Sequence, residues 1–183
     1  MSLPEVCVCY LIRESNGGGT TDGESAKNGG RGGAQVLLGR KKFGLGEGRL
    51  VGPGGKLEPG ETPAEAIVRE VFEEVGLVVA PDDLELMGDL TYPFPHRTAW
   101  SQRSWVFIAR RWSGEPVESD ELEPVWVDVE SIPLEKMWDD AKYWLPATLR
   151  GAPVHNTFTF GSDGRTVESS DHPDFAPAAT GGC

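Results

Sequence analysis

Helices packed on both faces of a mixed β-sheet, an α/β sandwich, are what three features of the 183-residue chain predict. Short runs rich in Val, Ile, Tyr and Phe recur along its length and read as strands. Two stretches carry apolar residues at helical spacing, and the two kinds of element interleave irregularly rather than falling into separate halves. A chain of this length buries a core without disulfides or a structural metal. One domain over residues 1–167 is expected, with a flexible glycine-rich insertion at 15–34 and a disordered tail at 168–183.

Each element has its own signal. Val6 to Ile12 is almost wholly apolar, as a strand covered on both faces must be, and belongs at the sheet's centre. Ser15 to Ala34 is glycine-rich and too poor in apolar residues to offset the entropy of ordering it, so it reads as a mobile loop. No helix or Lys-Ser/Thr pair follows its glycines, which argues against a phosphate cradle. Gln35 to Arg40 is the second strand. Lys41, Lys42 and Arg49 then form the densest basic cluster; it suits a polyphosphate, with Lys41 the candidate contact, or it is an ordinary charged surface. Gly52, Gly54, Gly55 and Gly60, with Pro53 and Pro59, make a tight lead-in whose backbone can approach a ligand closely.

The first helix follows. Thr62 with Glu65 three residues on is a capping box, and Pro63 stands at the first helical position, where a missing N–H costs nothing. Ala64, Ile67, Val68, Val71 and Val75 recur at helical spacing, and Gly76 stands where a left-handed cap is wanted. Beyond it, Leu84 to Tyr92, Ser104 to Ala109 and Val125 to Val127 read as strands. Leu134 to Arg150 reads as a second helix, interrupted or shifted at Pro146. Asn156 to Val167, turning at Asp163-Gly164, reads as a hairpin, and the residues from Glu168 on as a loose tail.

Charge and composition narrow the function. A formal net charge of −12 excludes wrapping nucleic acid by bulk electrostatics, which takes a basic stripe. No apolar run approaches the roughly 18 residues of a membrane span, so no membrane partner is expected. The first residues carry no basic, hydrophobic leader. Three cysteines, with Cys7 and Cys9 on one face of a strand and Cys183 at the end, make no disulfide framework. A reducing, cytoplasmic setting is the expectation, as a monomer or small homo-oligomer.

The chemistry concentrates on the first helix. At about 100° per residue, Glu70, Glu73 and Glu74 share a face turned away from the apolar stripe. Like charges at these spacings repel, and Arg69 alone cannot neutralise them. A divalent cation could, and hard carboxylate oxygens select magnesium or manganese. A merely solvated acidic face is the alternative, and the glycine loop ahead of the helix weighs against it.

With Gly55, five residues, Glu61, seven residues, then Arg69-Glu70-Val71-Phe72-Glu73-Glu74-Val75-Gly76-Leu77, the segment resembles the Nudix hydrolase signature at every defined position. That resemblance implies the Nudix α/β/α sandwich. The segments Arg40 to Thr62 and Gly114 to Trp138, with the pair Tyr143-Trp144, look like the branch that hydrolyses oxidised purine nucleoside triphosphates, the MutT-type 8-oxo-dGTP diphosphatases. The likeness runs over residues 5–12 and 35–167. It implies a magnesium-dependent enzyme, with manganese able to substitute, cleaving a nucleoside triphosphate to monophosphate and pyrophosphate. Glu70, Glu73, Glu74 and the Gly54 carbonyl are the implied metal ligands, with Arg69 orienting a glutamate and Glu61 bracing the loop. Glu73, Glu74 and Glu121 compete for the role of general base.

From the same branch come a pocket between the sheet and the second helix, Trp138 as the platform for the base, and Asp139 and Asp140 as readers of its edge. The chain also departs from the branch. Asp139 and Asp140 follow Trp138 directly, so Ala141 takes the place of the second edge-reading aspartate. Val51 stands where the branch has a base-reading asparagine, and Cys7 where it has a threonine. Lost hydrogen-bonding groups change selectivity. An oxidised guanine nucleotide, an oxidised adenine nucleotide and a canonical dNTP therefore all stay open. So do a Nudix enzyme for another nucleoside-diphosphate-linked substrate and a non-catalytic nucleotide sensor.

Overall fold

The computed structural model describes residues 2–14 and 33–177. Among the described residues nine strands form one sheet: β1 (Glu5–Glu14), β2 (Ala34–Lys41), β3 (Leu50–Val51), β4 (Gly54–Lys56), β5 (Leu84–Tyr92), β6 (Gln102–Ala109), β7 (Leu122–Asp128), β8 (Val154–Phe160) and β9 (Val167–Ser170). The main path runs β3-β2-β1-β6-β5-β8-β9, with β4 on β1 and β7 on β2. The β1–β6 and β5–β8 pairs are parallel and the others antiparallel, so the sheet is mixed.

β1 is central, as its apolar run requires. It pairs with β2 only over Ile12–Glu14, while its other end, Val6–Val8, pairs with β4. The two strands therefore splay, and the glycine-rich segment fills the opening with β3 and β4. The sequence reading had a loop there. Three residues with two glycines give no periodic signal, and only the exposed edge of β1 makes them a strand.

Alternation along the strands splits the core. Cys7, Cys9 and Leu11 face one side, with Leu37, Phe107 and the buried stripe of helix α1 (Pro63–Val75). Tyr10, Ile12, Val36, Val106 and Ile108 face the other, with helix α2 (Ala141–Leu149). α1 has the predicted ends. Thr62 accepts from the Glu65 amide, the Glu65 carboxylate accepts from the Thr62 amide at 2.8 Å, and Gly76 takes φ 71°.

Two expectations are corrected. The helix expected over Leu134 to Arg150 is a 3-10 turn at Leu134–Lys136, an extended Met137, and then α2; Pro146 lies inside α2 without ending it. The break keeps Trp138 and Asp139 off the helix, because tertiary bonds to Met137 and Asp140, described below, outweigh helical spacing. The stretch from Glu168 to Phe175, expected as part of a loose tail, is ordered. β9 pairs with β8, Asp171 accepts from the Thr157 amide at 2.8 Å, and Phe175 packs on Tyr143. Apolar partners supplied by α2 and β8 order this stretch. Within the insertion and tail expectations, residues 15–32 and 178–183 lie outside the described residues.

Candidate active site

The glycines of β4 bring backbone against helix. A Cβ on Gly54 would sit 2.0 Å from the Cys7 carbonyl oxygen, and one on Gly55 would sit 2.5 Å from the Glu70 carboxyl. Glycine thus lets β4 fit between β1 and α1, and the Gly54 amide donates to Glu74 at 2.8 Å. Arg69 ties the same elements together. Its Nε and Nη2 grip both oxygens of Glu61 at 2.8 Å, Nη2 donates to the Lys56 carbonyl at 3.0 Å, and Nη1 donates to Glu70 at 2.7 Å. The bidentate bond goes to Glu61 and the single one to Glu70, while Glu73 is more loosely held at 3.3 Å. Glu61 accepts from the Glu58 amide as well, and the Arg69 and Glu58 bonds hold its carboxyl down at about 2.

The three helix glutamates differ in setting. Glu74 is buried, and desolvation pushes it up to about 7 against the pull of the Gly54 amide and Lys41. Glu70 is raised by burial, with Glu73 and Glu121 adding repulsion. Glu73 is exposed. Buried carboxylates raising one another's pKa form a site that favours a cation. Among the described residues no three acidic, cysteine or histidine side chains converge on one point, since Arg69 and the Gly54 amide already hold these oxygens. The donors nevertheless fit a hard divalent cation in kind. Glu70, Glu73, Glu74, Glu121 and Gly54 all line one cavity, and all offer oxygen.

That cavity, of about 600 Å³, runs from the acidic end to an aromatic one and suits a nucleotide-sized ligand. Cys7, Lys41, Val51, Trp138 and Asp140 line it as expected. Asp139 does not. Its carboxylate caps the Val167 amide at 2.9 Å and pairs with Lys142 at 2.6 Å, because the break before α2 turns it toward the β8–β9 hairpin. Ala141 lines the wall in its stead. Asp140 is buried, and one carboxylate oxygen accepts from both Tyr92 Oη at 2.9 Å and Trp144 Nε1 at 2.8 Å; desolvation raises its pKa. Cys7 donates its thiol to the Gly55 carbonyl, and burial pushes it up to about 12, so it is a neutral thiol.

The basic cluster divides. Lys41 lines the cavity, Lys42 turns away to Glu118 at 2.6 Å, and Arg49 lies over the Trp138 ring. Trp138 itself is half-buried, meeting Phe94 and Phe160 nearly edge-on, and those two rings stack at 4.6 Å. The sequence reading missed Phe94 and Phe160, and also Gln102 and Ser104, which add polar groups to the wall. A signal existed for the last two. They head the inward-facing row that continues into Val106 and Ile108, where an apolar pair would be expected.

A mixed sheet between helices, with a carboxylate-lined end and an aromatic end in one cavity, defines an α/β protein with a nucleotide-sized site. Comparison with known proteins places it more closely. The model of the NUDIX domain family matches residues 27–148, and the chain belongs to that family. It is 40% identical over 134 residues to an oxidized purine nucleoside triphosphate hydrolase of Danio rerio, spanning 73% of this chain and 84% of that one. The Mus musculus protein of the same name is 37% identical over 126 residues, 69% of this chain and 79% of its own. The 8-oxo-dGTP diphosphatase of Escherichia coli is 46% identical over 68 residues, 37% and 49% of the two chains. In fold, the chain is similar to a MutT protein from Bacillus halodurans, with a TM-score of 0.69 at 24% identity over 92% of this chain and 96% of that one.

Proposed function

We propose that this Nudix hydrolase cleaves a purine nucleoside triphosphate, oxidised or canonical, to the monophosphate and pyrophosphate, using magnesium with manganese as substitute. Water adds across the α–β phosphoanhydride; one P–O bond of that bridge breaks, its two halves leave as monophosphate and pyrophosphate, and one proton is released. Glu70, Glu73, Glu74 and the Gly54 carbonyl would hold the metal. Its chemistry there is to neutralise bridging phosphate charge and acidify the attacking water. Lys41 faces the phosphates and Arg69 fixes Glu70. Glu73, Glu74 and Glu121 compete to take the water's proton. The base lies on Trp138, with Asp140 at its edge.

One observation carries this reading: the acidic face of α1 and the Trp138 aromatic wall open into the same cavity. The relatives named for oxidised purine triphosphates support the substrate class. A second reading, another nucleoside-diphosphate-linked substrate, draws on Val51 and Cys7, which leave that stretch of wall with neither an amide nor a hydroxyl side chain. Pyrophosphate release over a panel of canonical and oxidised nucleotides, with magnesium and with chelator, tests both. Purine triphosphates should lead the panel and chelator should stop release. Turnover of a nucleotide sugar or dinucleoside polyphosphate in preference to every triphosphate would favour the second reading.

A further inference from the structure

We propose that Arg49 is a positioning residue for the base platform, holding the Trp138 indole from one side so that a purine stacks on the other; this rests on Trp138 being that platform. The guanidinium carbon lies 4.5 Å over the indole. Nη1 of the same side chain donates to the Met137 carbonyl at 2.8 Å. Met137 is extended, at φ −102° and ψ −178°, so no helix fixes the backbone leading into Trp138. One arginine therefore restrains both the ring and the peptide that carries it. A rotatable chain with only the ring contact could not do both.

The neighbouring turn completes the support. Gly46 has φ +88°, and a Cβ there would lie 3.1 Å from the indole Nε1, so a glycine lets the turn lie against the ring. Among the described residues no acidic group forms an ion pair with Arg49. Its charge is thus spent on the indole and the Met137 carbonyl, and not on a surface bridge. A guanidinium over one face leaves a planar base only the opposite face, which fixes the side from which the nucleotide enters.

Steady-state kinetics on a purine deoxynucleoside triphosphate and on abasic deoxyribose triphosphate test this. The second keeps the phosphates and lacks the base. Arg49→Met should raise the purine KM about five- to tenfold, with kcat moving less, and leave the abasic KM within about twofold. Arg49→Lys, which keeps a cation without the planar fork, should give a smaller rise on the purine alone, and it carries the test should the methionine variant fail to fold. Trp138→Ala should raise the purine KM at least as much as either. A Trp138→Ala effect with none from Arg49→Met overturns this inference alone. No effect from Trp138→Ala removes the platform itself and the inference with it. An equal rise on both substrates would put Arg49 at the phosphates, which also overturns it.

Discussion

Individual side chains here are decided by what else they touch. Glu70 and Glu74 differ by one helical turn, yet one is gripped by arginine and the other is buried on a backbone amide. Replacing either with Gln keeps those contacts in outline and removes the charge. Metal-dependent pyrophosphate release should then fall about 100-fold or more with the circular dichroism spectrum unchanged; turnover near wild type would remove them from the metal site. Asp140 is a different case, since Tyr92 and Trp144 both donate to the same buried oxygen. Asp140→Ala strands two donors, and chemical denaturation should show a loss of about 2–4 kcal/mol. Family likeness pointed to Asp140 and Trp138, and both line the cavity. It misplaced Asp139 because a side chain's direction after a broken helix is set by distant partners, here the Val167 amide.

Elements were legible to the degree that their ends are local. α1 starts and stops on capping contacts within a few residues, so the expected Thr62 and Gly76 boundaries hold. α2 was overextended because helical spacing in Leu134 to Arg150 is real, whereas the break comes from Arg49 and Tyr92, neither of them near in sequence. β4 was invisible for a related reason: two of its three residues are glycine, and β1 and α1 alone define it. Gly54→Ala would bring a methyl onto the Cys7 carbonyl, 2.0 Å away, and strain β4 off β1. A loss of about 1–3 kcal/mol is expected, read as a lower melting temperature, together with loss of turnover as the Gly54 carbonyl moves.

Across the molecule, ion pairs link strands that are distant in the chain. Asp89 on β5 accepts from Arg103 on β6 and meets His155 on β8, each at 2.9 Å. Burial alone would raise its carboxyl, but the His155 and Arg103 bonds outweigh that and bring it below the usual range. Asp163, capped by the Thr166 and Arg165 amides in the β8–β9 turn, is held at about 2. Both groups bind protons more weakly folded than unfolded. Their stabilisation is complete above the ordinary carboxylate pKa of about 4 and is lost as pH falls through the lowered values. The melting temperature should therefore fall on acidification below about pH 4, and Asp89→Asn should make that decline shallower. An unchanged slope would show that the pair contributes nothing.

Of the two stacked rings that meet Trp138, Phe94, in the connection between β5 and β6, lies inside the family match, and Phe160, on β8, lies beyond its end at residue 148. Neither ring is on α1, so on the proposed reading the support behind the base platform and the metal-binding carboxylates belong to separate lengths of polypeptide. Exchanging residues 93–101 and 154–170 for those of a relative with another base preference should carry that preference across while pyrophosphate release keeps its metal requirement. A transferred preference would mean that one scissile centre serves different nucleotides through a change in the far wall of its chamber alone.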